Sequence, residues 1–231
     1  MKKLLKAAIA GAALLLSAGA ALADGELNIF NWGDYTSPEM IKKFEDTYKV
    51  KVTITDYDSN DTALAKVRAG GHGFDIVVPS ANFMPIWIKE GLLLETRPDQ
   101  MENFKNVDER WVNVEWDPGR HYSVPWQWGL TGIGVNKTVY SGDPNTSAIF
   151  LDPPPELQGK INVAPEMNDV IYATIRYLGG KWCTDDKEFL KKVHDKLKEA
   201  KPKWLAMDYS AHEKMAAREY SAVYYWNGAM L

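Results

Sequence analysis

The sequence predicts an α/β protein that begins with a parallel, doubly wound sheet. Three observations carry that prediction. Short apolar or alternating runs recur at residues 27–30, 50–54 and 74–78, amphipathic helical stretches separate them, and each link is only a few residues long. Strand–helix–strand units with short links pack as parallel strands beneath crossover helices.

The elements follow in order. Residues 27–30 form the first strand. Ser37-Pro38-Glu39 supplies an N-cap with proline at the first helical position, and Met40, Ile41, Phe44 and Tyr48 mark an apolar helical face. Val50, Val52 and Ile54 alternate, which predicts a second strand. Asn60 or Asp61 caps the next helix, Leu64 and Val67 point inward, and Gly70-Gly71 stops it. The continuous apolar run 74–78 has the character of a central parallel strand. A helix over 84–89, a turn at Gly91 and an irregular polar stretch to Arg120 come next. Strands at 122–125 and 132–135 flank Trp126-Gln127-Trp128, where the chain is expected to cross between two lobes. Further on, 160–163 predicts a strand, 170–178, 186–200 and 211–219 predict helices, and a strand at 221–225 runs into Trp226-Asn227-Gly228.

The N-terminus reads as an export signal. Lys2, Lys3 and Lys6 precede an apolar stretch over 7–16, and Ala21-Leu22-Ala23 is an A-x-A cleavage site, so the signal peptide is expected over 1–23. Its apolar core is too short for a membrane span, so a soluble protein of the bacterial periplasm is expected. Losing three basic residues leaves 24 Lys and Arg against 31 Asp and Glu, a net charge of −7. That balance disfavours nucleic acid and anionic membranes as partners. Cys183 stands alone, which excludes an intramolecular disulfide and a Cys-rich metal site, and a small, partly buried side chain is expected there. The four histidines are scattered, and G-x-S-x-G, H-E-x-x-H and Walker patterns are absent. The sequence thus points to no metal, no cofactor and no enzyme.

In parallel α/β sheets ligands bind outside the carboxyl ends of the strands. Here those ends carry Asn31-Trp32-Gly33-Asp34-Tyr35, Tyr57-Asp58-Ser59-Asn60 and Pro79-Ser80-Ala81-Asn82-Phe83. Aromatic faces attract a cation and carboxylates accept ammonium hydrogen bonds, so Trp32, Asp34 and Tyr35 suit an organic amine. Glu166 and Asp169, at i and i+3 around a helix start, can face one point. They can equally be ordinary N-terminal caps, or an acid pair for glycoside hydrolysis. Set opposite Trp32 and Tyr35 they would give a cleft with acids on both walls, fit for a linear di- or polyamine. No arginine falls at these strand ends to greet a carboxylate or phosphate.

These motifs resemble those of the periplasmic spermidine/putrescine-binding proteins of ABC uptake systems. The matching stretches are Asn31 to Tyr35, Tyr57 to Asn60, Phe74 to Ser80, Trp128 to Asn136 and Trp226-Asn227-Gly228, in the family's order across nearly all of 26–231. The resemblance implies a two-lobed, type II periplasmic binding protein fold, each lobe a mostly parallel sheet flanked by helices, closing on its ligand. It divides the chain into a lobe over 24–130 and a second over 131–231. It implies that Trp32 stacks on the amine's methylene chain while Asp34 and Tyr35 reach an amino group. Ser80 and Asn82 sit at the next contact loop, Glu166 and Asp169 bind an ammonium from the second lobe, and Trp226 adds another aromatic wall. Putrescine or spermidine would be the ligand and a membrane ABC permease the partner of a monomeric receptor; another cationic or amino-containing solute is the alternative. Asn82 departs from an aromatic found in some members, and Gly33 is smaller than the usual Thr or Ser. Family members usually run on for another stretch that returns to the first lobe, so the second lobe and return crossing are expected to be incomplete here.

Overall fold

The computed structural model describes residues 25–230, so the expected signal peptide lies outside the described residues. β1 (Gly25–Trp32) is the middle strand of a three-stranded, all-parallel sheet, between β2 (Val50–Tyr57) and β3 (Ile76–Val77). The crossovers are α1 (Pro38–Tyr48) and α2 (Asn60–Arg68). Ser37 caps α1 as expected, accepting from the Met40 N–H at 3.1 Å, with Pro38 at the first helical position. Gly70 and Gly71 take φ of 71° and 62° after α2, and Leu64 and Val67 are buried beneath it.

Three expectations are corrected here. The cap of α2 is Ser59, whose Oγ accepts from the Thr62 N–H at 3.3 Å, which frees Asn60 for other partners. β3 is an edge strand of two residues rather than a central strand over 74–78. Pro79 lacks the N–H needed to extend the ladder, and at its other end the Asp75 carboxylate takes the Asn28 N–H at 2.8 Å. Residues 122–125 are not a strand: the buried Asp117 carboxylate accepts from the His121 and Tyr122 amides and the Ser123 hydroxyl, which bends the segment around it. The apolar face of α1 is uncovered among the described residues, with Met40, Phe44 and Tyr48 exposed.

After α3 (Met84–Lys89) the chain runs through short 3₁₀ turns and irregular backbone to β4 (Thr131–Val135). The second sheet has the order β4-β6-β5, formed with β5 (Ile161–Val163) and β6 (Ala222–Trp226). β5 and β6 are parallel; β4 runs antiparallel to β6. Its core is dry: Ile149, Phe150, Leu151, Leu157, Ile161 and Val163 are each 1% exposed or less. Three of these come from α4 (Ala148–Leu151), whose four residues are too few to show a helical period in sequence. α5 (Met167–Tyr177), α6 (Lys187–Ala200) and α7 (Ala211–Ala216) complete this half. Asp186 caps α6 through two backbone N–H groups. Tyr224 and Tyr225 point to opposite faces of β6, and both are buried. Cys183 is exposed, on a turn where it adopts φ 57°, rather than partly buried. The mixed α/β architecture, with a parallel sheet in one half and a partly parallel one in the other, is the fold class the sequence predicts.

Candidate functional site

The carboxyl ends of β1, β3, β5 and β6 border a cavity of about 1890 Å³ between the two sheets. All eight sequence-predicted residues line it: Trp32, Asp34, Tyr35, Ser80, Asn82, Glu166, Asp169 and Trp226. Its wall carries five carboxylates, from Asp34, Asp75, Asp108, Glu166 and Asp169, and one guanidinium, that of Arg120. Arg120 is buried and committed elsewhere, donating to the Trp111 carbonyl at 2.6 Å and the Ser123 hydroxyl at 2.9 Å. Asp108 is paired with Arg110 at 2.9 Å, which leaves Asp34, Asp75, Glu166 and Asp169 as the lining carboxylates without an arginine or lysine partner among the described residues.

Asp169 lies in the first turn of α5. Its Oδ2 accepts from Thr131 Oγ1 at 2.8 Å and from the Trp226 indole N–H at 2.9 Å. Thr131 and Trp226 are opposed across the antiparallel β4–β6 pair, so strand register sets both donors. The Tyr224 hydroxyl, two residues back along β6, donates to the Asp169 carbonyl at 3.0 Å. Among the described residues Oδ1 of Asp169 has no hydrogen-bond partner. Tyr35, from the other half, is pushed up in pKa by burial and then by the Asp169 charge, so its hydroxyl stays protonated.

Glu166 occupies the N-cap position of α5, yet its side chain caps nothing. It is buried, and its oxygens accept from Asn60 Nδ2 at 3.1 Å and Asn168 Nδ2 at 3.3 Å. Burial raises its pKa and the Asp169 charge adds to that, against the two amide hydrogen bonds. Asn60, fully buried, joins the halves: besides Glu166 it donates to Ser80 Oγ at 3.1 Å and accepts from the Ser80 N–H at 2.9 Å. Its role was hidden in sequence because an Asn at a helix start reads as a cap.

Trp32 departs from the open wall expected of it. It is 5% exposed, its indole N–H donates to the Val78 carbonyl at 2.9 Å, and the Tyr57 hydroxyl donates to the same oxygen. Its ring packs on Tyr57 at 4.7 Å, Trp226 at 5.8 Å and Tyr35 at 6.2 Å between centroids. Trp32 thus backs an aromatic cluster that Tyr35 and Trp226, both half-buried, present to the cavity. Asp34 is exposed at φ 60°, a conformation Asp tolerates, with His212 Nε2 3.8 Å from its carboxylate. Ser80 is half-buried and Asn82 exposed on the neighbouring loop. Tyr209, from the loop before α7, also joins the cluster and was missed, because no strand or helix pattern marks its segment.

Comparison with known proteins agrees with this geometry. The family model described as bacterial extracellular solute-binding protein matches residues 32–231. The spermidine/putrescine-binding periplasmic protein of Escherichia coli strain K12 is 32% identical over 99% of this chain and 67% of its own length. The putrescine/cadaverine-binding protein of Pseudomonas aeruginosa PAO1 is 29% identical over 93% of this chain and 61% of its own. A solved Listeria monocytogenes protein assigned as a spermidine/putrescine ABC transporter superposes with a TM-score of 0.81 at 30% identity, covering 89% of this chain and 63% of that one. The chain thus spans about two thirds of the length of the relatives it matches. Among the described residues no helix is long and apolar enough to cross a membrane. The chain belongs to the bacterial extracellular solute-binding protein family.

Proposed function

We propose that this extracellular solute-binding protein captures a polyamine of the putrescine/spermidine class in the periplasm and delivers it to a membrane ABC permease. The observation that carries the reading is the Asp169 carboxylate: one oxygen is pinned by Thr131 and Trp226, the other is unpartnered among the described residues, and aromatic rings from both halves surround it. An ammonium group supplies the donor that the second oxygen lacks, while the Tyr35 and Trp226 rings supply cation–π and methylene contacts. Trp32 holds those rings from behind. Glu166 adds a buried negative charge, tied to the first half through Asn60, and Asp34, Ser80 and Asn82 offer acceptors for the guest's other polar atoms. The names and identities of the relatives support the same ligand class.

In this proposal the chain is a hinged receptor with lobes over 24–130 and 131–231, acting as a monomer. Each cation–π contact contributes about 0.5–2 kcal/mol, and each charge-assisted hydrogen bond about 1.5–3 kcal/mol. After ordering costs, that suits micromolar binding. The paired carboxylates alone do not favour a hydrolase, and the family is one of solute-binding proteins.

Isothermal calorimetry tests the proposal. Purified protein is titrated with putrescine, spermidine, a betaine, an amino sugar and simple amino acids. Heat from the linear amines with micromolar dissociation constants is the expected result. Heat from the betaine, amino sugar or amino acids alone would transfer the scaffold to another cationic or amino-containing solute and overturn the polyamine assignment.

A further inference from the structure

We infer that Tyr209 is a specificity-determining wall of the amine pocket, and that Gly33 is the seat that admits it. The inference rests on the amine reading above, but its observations are separate. Tyr209 belongs to the second half, yet its hydroxyl donates to the Gly33 carbonyl of the first half at 3.0 Å. Its ring lies 6.4 Å from that of Trp32 and nearly parallel to it, at 19°, and 5.5 Å from that of Trp226. Tyr225 meets it edge-on at 6.1 Å. No other residue on its loop lies against the aromatic rings of both halves in this way, and Tyr209 lines the cavity itself.

Gly33 shows why the ring fits. A β-carbon at position 33 would stand 3.0 Å from Cε1 of Tyr209 and 3.6 Å from Cδ1. Carbon atoms prefer separations of about 3.5–4.0 Å, so even alanine forces the ring to give way. The backbone at Gly33 does not itself call for glycine: positive φ is found at its neighbour Asp34 but not at Gly33. The missing side chain therefore has a steric use, and what occupies the space is Tyr209. A threonine or serine at 33 would fill that volume from the first half. Here a ring from the second half fills it, so this end of the pocket takes shape only when the halves meet. A guest that lies against Tyr209 is recognised by the closed protein and not by either half alone.

A double-mutant cycle reads this directly. Tyr209→Ala is expected to weaken putrescine binding by about tenfold or more, and Tyr209→Phe, which keeps the ring, by less than about threefold. Gly33→Thr is expected to cost tenfold in the unsubstituted background and less than twofold alongside Tyr209→Ala, with Gly33→Ala as the milder variant should threonine impair folding. The ligand-free protein gives a second reading of the same cycle. Gly33→Thr should lower the thermal midpoint by about 2–4 °C when Tyr209 is present and by less when it is alanine. Equal costs of Gly33→Thr in both backgrounds, in affinity or in melting, would overturn the seat. Putrescine affinity unchanged within twofold in Tyr209→Ala would overturn the wall. If the unsubstituted protein releases no heat with any amine, the amine reading falls and the wall with it, while the melting cycle still decides the seat.

Discussion

The two halves of the molecule contribute to one cavity but place their cores differently. In the second half the larger core lies away from the cavity, where α4, β5 and β6 bury Ile149, Phe150, Leu151, Ile161 and Val163 almost completely, and a smaller cluster brings Ala211, Val223 and Tyr225 to the cavity wall. The acids Glu166 and Asp169 stand on that support without being part of its apolar cluster. In the first half α1 buries no residue, and the core is Phe30, Trp32, Tyr57, Phe83 and Trp87, gathered toward the strand ends that border the cavity. The lesson is that Trp32, the central aromatic of the first half, is also a core residue, whereas the acids Glu166 and Asp169 of the second half are nearly free of that duty.

Three substitutions sharpen or break this contrast. The largest effect is expected from Trp32→Ala, which empties the middle of the aromatic cluster and removes one of the two donors to the Val78 carbonyl. It should destabilise the protein by about 3–5 kcal/mol in denaturant unfolding and abolish amine binding as well. A stable Trp32→Ala protein would show that the first half has a core elsewhere. Asp169→Asn comes next. Asparagine can still accept from Thr131 and Trp226, so the unfolding midpoint should barely move, while calorimetry should record amine affinity weakened by about 10–100-fold, or about 1.5–3 kcal/mol. A matching loss of stability would erase the distinction between the halves.

The smallest effect, and the one that separates stability from function, concerns Glu166. Burial first, and the Asp169 charge second, raise its pKa above the ordinary value of 4.5. The folded chain therefore holds a proton there at pH values where the unfolded chain has released it, so this group's contribution to stability falls as pH rises from 4.5 through the folded-state value. Amine affinity should rise through the same window as the carboxylate charges. Glu166→Gln should then leave the neutral-pH melting temperature equal or higher, lower amine affinity severalfold, and shift the acidic limb of the affinity profile to lower pH. An unshifted limb would assign the titration to another carboxylate.

Most of the fold was legible in the sequence because its signals are local. Ser37-Pro38 starts α1, Gly70-Gly71 ends α2, the run that became β2 follows a two-residue period, and the short apolar runs at 27–30 and 221–225 fall within or beside β1 and β6. Where the sequence misled, a side chain had taken hydrogen-bond partners that no periodicity marks. Asp117 took the amides of the expected strand at 122–125, and Asn60 left the cap of α2 to Ser59. The apolar face of α1 was visible in the sequence, but its periodicity does not say whether anything covers it, and among the described residues it is exposed.

By itself, then, the sequence determined the α/β class, the order of elements and the chemistry on offer: rings at some strand ends, carboxylates at others, and no arginine among them. Residue type and periodicity suffice for that, since both act within a few positions of the chain. Only the tertiary structure decided which oxygen of Asp169 is spoken for, that Trp32 supports rather than faces the cavity, that Asn60 links Ser80 to Glu166, and that Tyr209 sits over Gly33. Those outcomes depend on strand register and on contacts between residues up to 176 positions apart, where packing rather than local preference sets the partner.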